Sequence, residues 1–267
     1  MSPTPRQQRL AALRDTIADI ERKPALQEAR ARVDMTADAF PAFPGGLLQE
    51  VFTDERRNAG SALGFALAQA RDLVGPARPG VIFLQLAEEG QKLGLPYGPG
   101  LVSFGFDPGS LTLVRVGDIK ELLWAAEQAL GCRAVAAVVA EIGGAARLLD
   151  FTASRRLSLR AAQAGTSIFL LRYGTGREAS AAHLRWRVEP AASAHKPYDD
   201  KAPGPLRWRA ELERGALGKH NSDWLLGWSK DGLAAVSSER RDRQRLAGTA
   251  IHGAVPAQLA DRLPQTA

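Results

Sequence analysis

LLQEVFTDERRNAGSALGFALAQAR, residues Leu47 to Arg71, is the stretch that decides the fold of this chain. Leu47 to Phe52 predicts a short buried strand, whereas Ala62 to Arg71, rich in Ala and Leu, predicts a helix. Between them lies TDERRNAGS. Strand, turn and helix in that order form the scaffold of a phosphate-binding P-loop, in which glycines let backbone N–H groups reach phosphate oxygens and a Lys neutralises them. The turn here offers Arg56, Arg57, Asn58, Ala59, Gly60 and Ser61, and no Lys stands between Asp54 and Leu63. Each charge-assisted hydrogen bond to phosphate contributes about 1.5–3 kcal/mol. Losing the Lys and one or two cradle glycines therefore removes roughly 4–6 kcal/mol, or about three to four decades of affinity. The stretch implies a nucleotide-binding architecture that has stopped using nucleotide, with Arg56, Arg57, Asn58, Gly60 and Ser61 as the remnant of the loop.

Outward from this stretch, strands and helices alternate, which predicts a mostly parallel sheet covered by helices on both faces. The strands expected are Leu48 to Phe52, Val81 to Leu86, Leu111 to Arg115, Val135 to Ala140 and Ser167 to Arg172. The helices expected are Ala62 to Leu73, Gly98 to Phe104, Ile119 to Leu130 and Ala153 to Ala164. After Arg172 the segments HLRWRVEP, LRWRAELERG and SDWLLGWSKDG alternate at period two and predict antiparallel strands along one edge. Glu189 to Pro205 reads as a long, polar, Pro-rich surface loop. The four tryptophans of these strands, Trp186, Trp208, Trp224 and Trp228, are expected to pack in the core or across strands.

In a working ATPase of this layout an acid at the end of the strand VAAVVAEI would hold Mg²⁺. Glu141 stands there, but its position past Ala140 is expected to turn the carboxylate to the wrong face. Glu88 or Glu89, after the second strand, stands where a water-activating acid would be, although a charged loop pair reads more simply as solvated. Neither catalysis nor a cofactor is expected.

The N-terminal part, residues 1–44, reads as a helical extension. Leu10, Leu13, Ile17 and Ile20 form a narrow apolar stripe that Pro24 ends, suited to packing on its own core or on another subunit. A second helix is expected over Ala25 to Val33. The core is expected over residues 45–232. Residues 233–267 lack a sustained period and read as a flexible tail. The single Cys132 excludes an intramolecular disulfide, and four scattered histidines give no metal-ligand spacing. No apolar run reaches the roughly 18–20 residues of a membrane span, so a cytoplasmic protein is expected. The formal charge of +6 rests mainly on arginine, which suits bidentate contacts to phosphate or carboxylate. Arg155 and Arg156, beside one loop, and Arg172 and Arg177, flanking another, are the nucleic-acid candidates, for weak DNA binding.

The segments GGLLQEVF, YGPGLVSFGFDPGSLTLVRV, LLWAAEQALGCRAVAAVVAEI, LLDFTASRRLSLRAAQAGTSIFLLR, HLRWRVEP and RWRAELERG with SDWLLGW, taken in order from Gly45 to Gly232, resemble the ImuA family of inducible mutagenesis proteins within the SulA/RecA-like superfamily. They also follow the RecA ATPase core in order. The resemblance implies a RecA-like core with a degenerate P-loop, and a bacterial, damage-inducible role in translesion DNA synthesis. It further implies contacts with an ImuB-like relative of Y-family polymerases, with RecA, and with an error-prone C-family polymerase. The segments at the places of RecA's two DNA-binding loops, Gly143 to Leu149 and Gly174 to Ala181, are short, which weakens the case for RecA-like filaments on DNA. Two other classes stay open: a SulA-like inhibitor of cell division that binds FtsZ, and a nucleotide-sensing switch with weak residual ATP binding.

Overall fold

The computed structural model describes residues 27–29, 40–143, 149–196, 198–215 and 222–236. In chain order they form β1 (Leu48–Thr53), a 3-10 turn (Arg56–Asn58), α1 (Ala59–Arg71), β2 (Gly80–Leu86), α2 (Ala87–Leu93), α3 (Gly98–Ser103), β3 (Leu111–Val116), α4 (Ile119–Leu130), β4 (Val135–Gly143), α5 (Phe151–Ala164) and β5 (Ser167–Tyr173). There follow β6 (Leu184–Ala191), β7 (His195–Lys196), β8 (Asp199–Pro203), β9 (Arg207–Arg214), β10 (Asp223–Ser229) and β11 (Gly232–Ala235). The stripe Leu10, Leu13, Ile17 and Ile20 lies outside the described residues. So does most of the second helix expected at Ala25 to Val33, although Ala29 is helical and fully buried.

Nine strands make one sheet in the order β11-β10-β9-β6-β1-β5-β4-β2-β3. Its parallel part runs from β3 through β2, β4, β5 and β1 to β6, and β9, β10 and β11 extend it in antiparallel pairs. The expected α/β fold, mostly parallel with antiparallel strands at one edge, holds. One assignment within it changes. HLRWRVEP is not an edge strand: β6 lies between β1, to which it is parallel, and β9. The reason is the connection before it. Gly174 to His183 runs back along the sheet as an extended strap with no helix, which brings the chain to the start of β6 in the same direction as β1. His183 fixes the end of that strap: its N–H donates to the Leu48 carbonyl at 2.8 Å, and its Nδ1 accepts from the Leu48 N–H at 2.9 Å.

Alternation along each central strand divides the core into two. Leu47, Val51, Phe83, Val139, Phe169 and Leu171 pack toward α1, while Leu48, Leu84, Val138, Ala140, Ile168 and Leu170 pack toward α4 and α5. Trp186, Trp208, Trp224 and Trp228 are all buried on the α1 side, as expected. Trp186 sits among Phe40, Phe43, Phe65 and Trp224, with ring centroids 5.4–5.8 Å away, and its indole N–H donates to Gln49 Oε1 at 2.8 Å. The segment expected as a loop from Glu189 carries the end of β6 and the small hairpin β7–β8, which pairs with no strand of the large sheet. The large sheet continues through β11 to Ala235, three residues past the expected end of the core. Among the described residues no helix is long and apolar enough to cross a membrane.

Because Trp186 is fully buried in an aromatic cluster with its one donor satisfied, Trp186→Ala should lower unfolding stability by about 3–5 kcal/mol. Urea denaturation of the two proteins measures this.

Candidate functional site

The turn after β1 lies at the carboxyl ends of the parallel strands, where open α/β sheets place their ligands. Set against the P-loop pattern G-x-x-x-x-G-K-[ST], Gly60 keeps the second glycine, Glu55 stands at the first, Ser61 at the Lys and Ala62 at the metal-binding hydroxyl. The backbone departs too. None of the residues Thr53 to Ala62 has positive φ, so the turn lacks the alternation of right- and left-handed residues that makes a nest for anions. It tightens instead into the 3-10 turn Arg56–Asn58 and runs directly into α1, whose first turn has no side-chain cap from Asn58.

The acids around this turn are internal. Glu141 is 2% exposed and falls on the same face of β4 as Ala137 and Val139, the face that α1 covers. The expected reversal of its side chain does not occur, because alternation counts from the register of the strand and not from where its apolar run stops. The chain bulges between Glu141 and Gly143, after the carboxylate has been placed. Glu141 Oε2 accepts from Gln85 Nε2 at 2.7 Å, and its Oε1 accepts from the Tyr173 hydroxyl. Burial, and then the neighbouring Glu141 carboxylate, push the Tyr173 hydroxyl far above its ordinary pKa, so it remains a donor. Glu88 and Glu89 divide. Glu88 faces solvent beside Lys92, whose hydrogen bond holds the carboxyl below its usual range. Glu89 is buried, packs against Gly143 and takes a salt bridge from Arg56.

The site is thus a cavity of about 360 Å³ lined by Arg57, Gly60, Gln85, Leu95, Tyr97 and Glu141, with the Arg56–Glu89 pair beside it. A P-loop Lys and a metal would supply cations at such acids; here Arg56 supplies one from the chain itself. Both oxygens of Glu141 are already acceptors. Arg56 answers Glu89 and Arg57 answers Glu55, while Glu141 is met by the neutral Gln85 and Tyr173; position 61 holds no Lys for a phosphate and position 62 no hydroxyl for a metal.

The arginines read as nucleic-acid candidates part into two pairs. Arg155 and Arg156 are exposed on the second turn of α5, where Arg156 Nε donates to Glu127 at 3.0 Å. Arg172 is 3% exposed, 3.6 Å from Glu50 and 2.6 Å from Glu178. Arg177 donates to Asp54 at 2.7 Å and to Glu213 at 2.8 Å, with its guanidinium 4.1 Å from the centroid of the Phe52 ring. Burial opposes the charge of Arg177, yet its hydrogen bonds to Glu213 and Asp54 raise its pKa further. The sequence reading missed the centre of this second group. Glu50, with no exposed surface, is held by Arg185 Nε at 2.9 Å and by the Ser180 hydroxyl at 2.7 Å. The signal was present in LLQEVF, since an acid in the middle of a buried strand requires a buried cation elsewhere.

No family model matches the chain. Two curated relatives, each named Protein ImuA, from Caulobacter vibrioides strains NA1000 / CB15N and ATCC 19089 / CIP 103742 / CB 15, are 40% identical to it over 140 residues. The match covers 49% of this chain and 55% of each relative, so the chain spans about half the length of the curated relatives it matches. The ImuA resemblance carried by the segments from Gly45 onward is supported by these relatives.

Two outcomes follow from the geometry. Arg172→Ala leaves Glu50 and Glu178 without a shared cation and should cost about 3–5 kcal/mol of stability, whereas Arg156→Ala on the open helix face should stay within about 1 kcal/mol. Arg56→Ala should cost about 1–2 kcal/mol, because Glu89 loses its partner at a place that is only partly screened by water. Urea midpoints of the three variants against the parent measure both.

Proposed function

We propose that this chain, a relative of ImuA, is a non-catalytic RecA-type accessory of a damage-inducible translesion system in the bacterial cytoplasm. It acts through protein contacts, with an ImuB-like relative of Y-family polymerases first, and with RecA and the error-prone C-family polymerase as further members of the assembly. The observation that carries the reading is the salt bridge of Arg56 to Glu89 in a strand–turn–helix scaffold that has Ser61 in place of the P-loop Lys. A chain that keeps the scaffold while answering its acids from within has kept a shape and let go of a reaction. The relatives named ImuA support the system to which it is assigned. The exposed Arg155 and Arg156 leave room for weak DNA contact on α5.

Size-exclusion co-elution of the full chain with its ImuB-like partner and with RecA, run with and without Mg-ATP, tests the reading. A complex that forms equally in both conditions is expected, together with no ATP turnover above background and no thermal stabilisation by nucleotide. A ligand at 100 times its dissociation constant would add about 2.7 kcal/mol, so even weak binding registers in a melt. A complex that requires ATP overturns the non-catalytic reading in favour of a nucleotide switch. Binding to FtsZ in place of either partner overturns it in favour of a SulA-like inhibitor.

A further inference from the structure

The turn that closes the small hairpin breaks a rule that the other described residues keep. Eight glycines among them have positive φ, and one residue with a side chain does: Tyr198, at φ 72°. A Cβ in that region crowds the following carbonyl oxygen, which is why glycine takes such places. Lys196 pairs with Asp199 across the hairpin, so Tyr198 is the third of four turn residues, the position that calls for glycine when φ is positive. Asp199 Oδ1 accepts from the Ala202 N–H at 3.2 Å, which tethers the strand just beyond. No burial offsets the unfavourable backbone. Tyr198 has a relative exposure of 107%, while Trp186, Trp208, Trp224 and Trp228 are packed inside. The hairpin leaves the large sheet after β6, at the same end as the turn that follows β1, and pairs only with itself.

We propose that Tyr198 is the anchor of a protein–protein contact, its ring entering an apolar pocket on a partner protein that has a polar group at its floor for the hydroxyl. Tyrosine provides a large, amphipathic surface on only two rotatable bonds, and it is enriched among the residues that dominate interface energies. The hairpin sequence HKPYDDKAP carries two lysines and two aspartates. With no net charge to draw a phosphate backbone or an anionic membrane, the tip is suited to a protein pocket. A residue that weakens its own turn and is fully exposed among the described residues is accounted for by a contact it makes outside them, with a partner.

The inference rests on the proposed function only in the choice of probes, the ImuB-like protein and RecA. Full-length Tyr198→Gly, Tyr198→Phe and the parent chain are titrated with each by calorimetry, and the melting temperature of each variant is recorded. Tyr198→Gly should melt at or above the parent, since glycine accepts the turn, yet bind about tenfold or more weakly to whichever probe the parent binds. Tyr198→Phe, which keeps the ring, should retain most of that affinity. Binding of Tyr198→Gly within twofold of the parent overturns the anchor and leaves the proposed function standing. A parent chain that binds neither probe removes the proposed function and the anchor with it. A single-stranded DNA shift that Tyr198→Gly abolishes overturns the assignment to a protein partner.

Discussion

One buried carboxylate organises the middle of this sheet. Glu50 has no exposed surface, and β1 is flanked by parallel neighbours on both sides. An ionised carboxylate in such a place is tolerated only when cations and hydrogen bonds replace its water. Arg185 answers from β6, directly opposite Glu50 in the register, and Arg172 answers from β5, two positions past its opposite residue Leu170. The Ser180 hydroxyl answers from the strap that joins those two strands. One side chain therefore ties together β5, the strap, β1 and β6. An apolar set of equal volume could match it in stability. What the charge adds is register, because a slip of β6 by one residue would turn Arg185 to the other face and strand Glu50.

The same cluster alters the meaning of the chain's positive charge. Arg172, Arg177 and Arg185 stand 4.1–5.4 Å from the Phe52 ring centroid, and Arg187 extends the set to Asp54 and Glu211. Planar guanidinium groups suit this use, since they can stack on an aromatic face while donating in their own plane to carboxylates. A basic composition that looks outward in a list of residues is, at these positions, directed inward to acids of the same sheet. Of the four arginines read as nucleic-acid candidates, Arg155 and Arg156 on α5 are the two that stand outside this strand-to-strand cluster.

Most of the fold was legible because its central parallel strands are buried on both faces, so β4 and β5 appear as short apolar runs between turn residues. Ser167 to Tyr173 and Val135 to Ala140 were plain for that reason. The assignment of β6 failed because period two says that a strand has two unlike faces and says nothing of its direction. The direction depended on the ten residues from Gly174 to His183, which carry no helical signal and yet make a crossover. Glu141 was misplaced for a related cause. Its face follows from the pairing of Ala137 with Ser167 and of Val139 with Phe169, a tertiary fact, whereas the sequence offered only the end of an apolar run. The turn itself was legible, because the absence of a Lys and of a first glycine is a statement about residues and needs no coordinates. That Arg56 turns to Glu89 was not, since the two are 33 positions apart and nothing local selects between Glu88 and Glu89.

The acids at the sheet end carry a lesson about inferring chemistry from residue type. Glu141 would be counted as a remnant of a metal site by position alone. Its partners assign it other work: Gln85 comes from β2 and Tyr173 from β5, so the carboxylate on β4 joins the carboxyl ends of three neighbouring strands. Such a role keeps an acid in place whether or not a nucleotide is ever bound. Arg56 differs from a bound metal ion in this respect, because a guanidinium carried by the chain cannot be exchanged as an ion can. A site that binds and releases nucleotide needs charge that is unbalanced until the ligand arrives. Here Arg56 meets Glu89 within the chain, so part of that charge is answered before any ligand arrives.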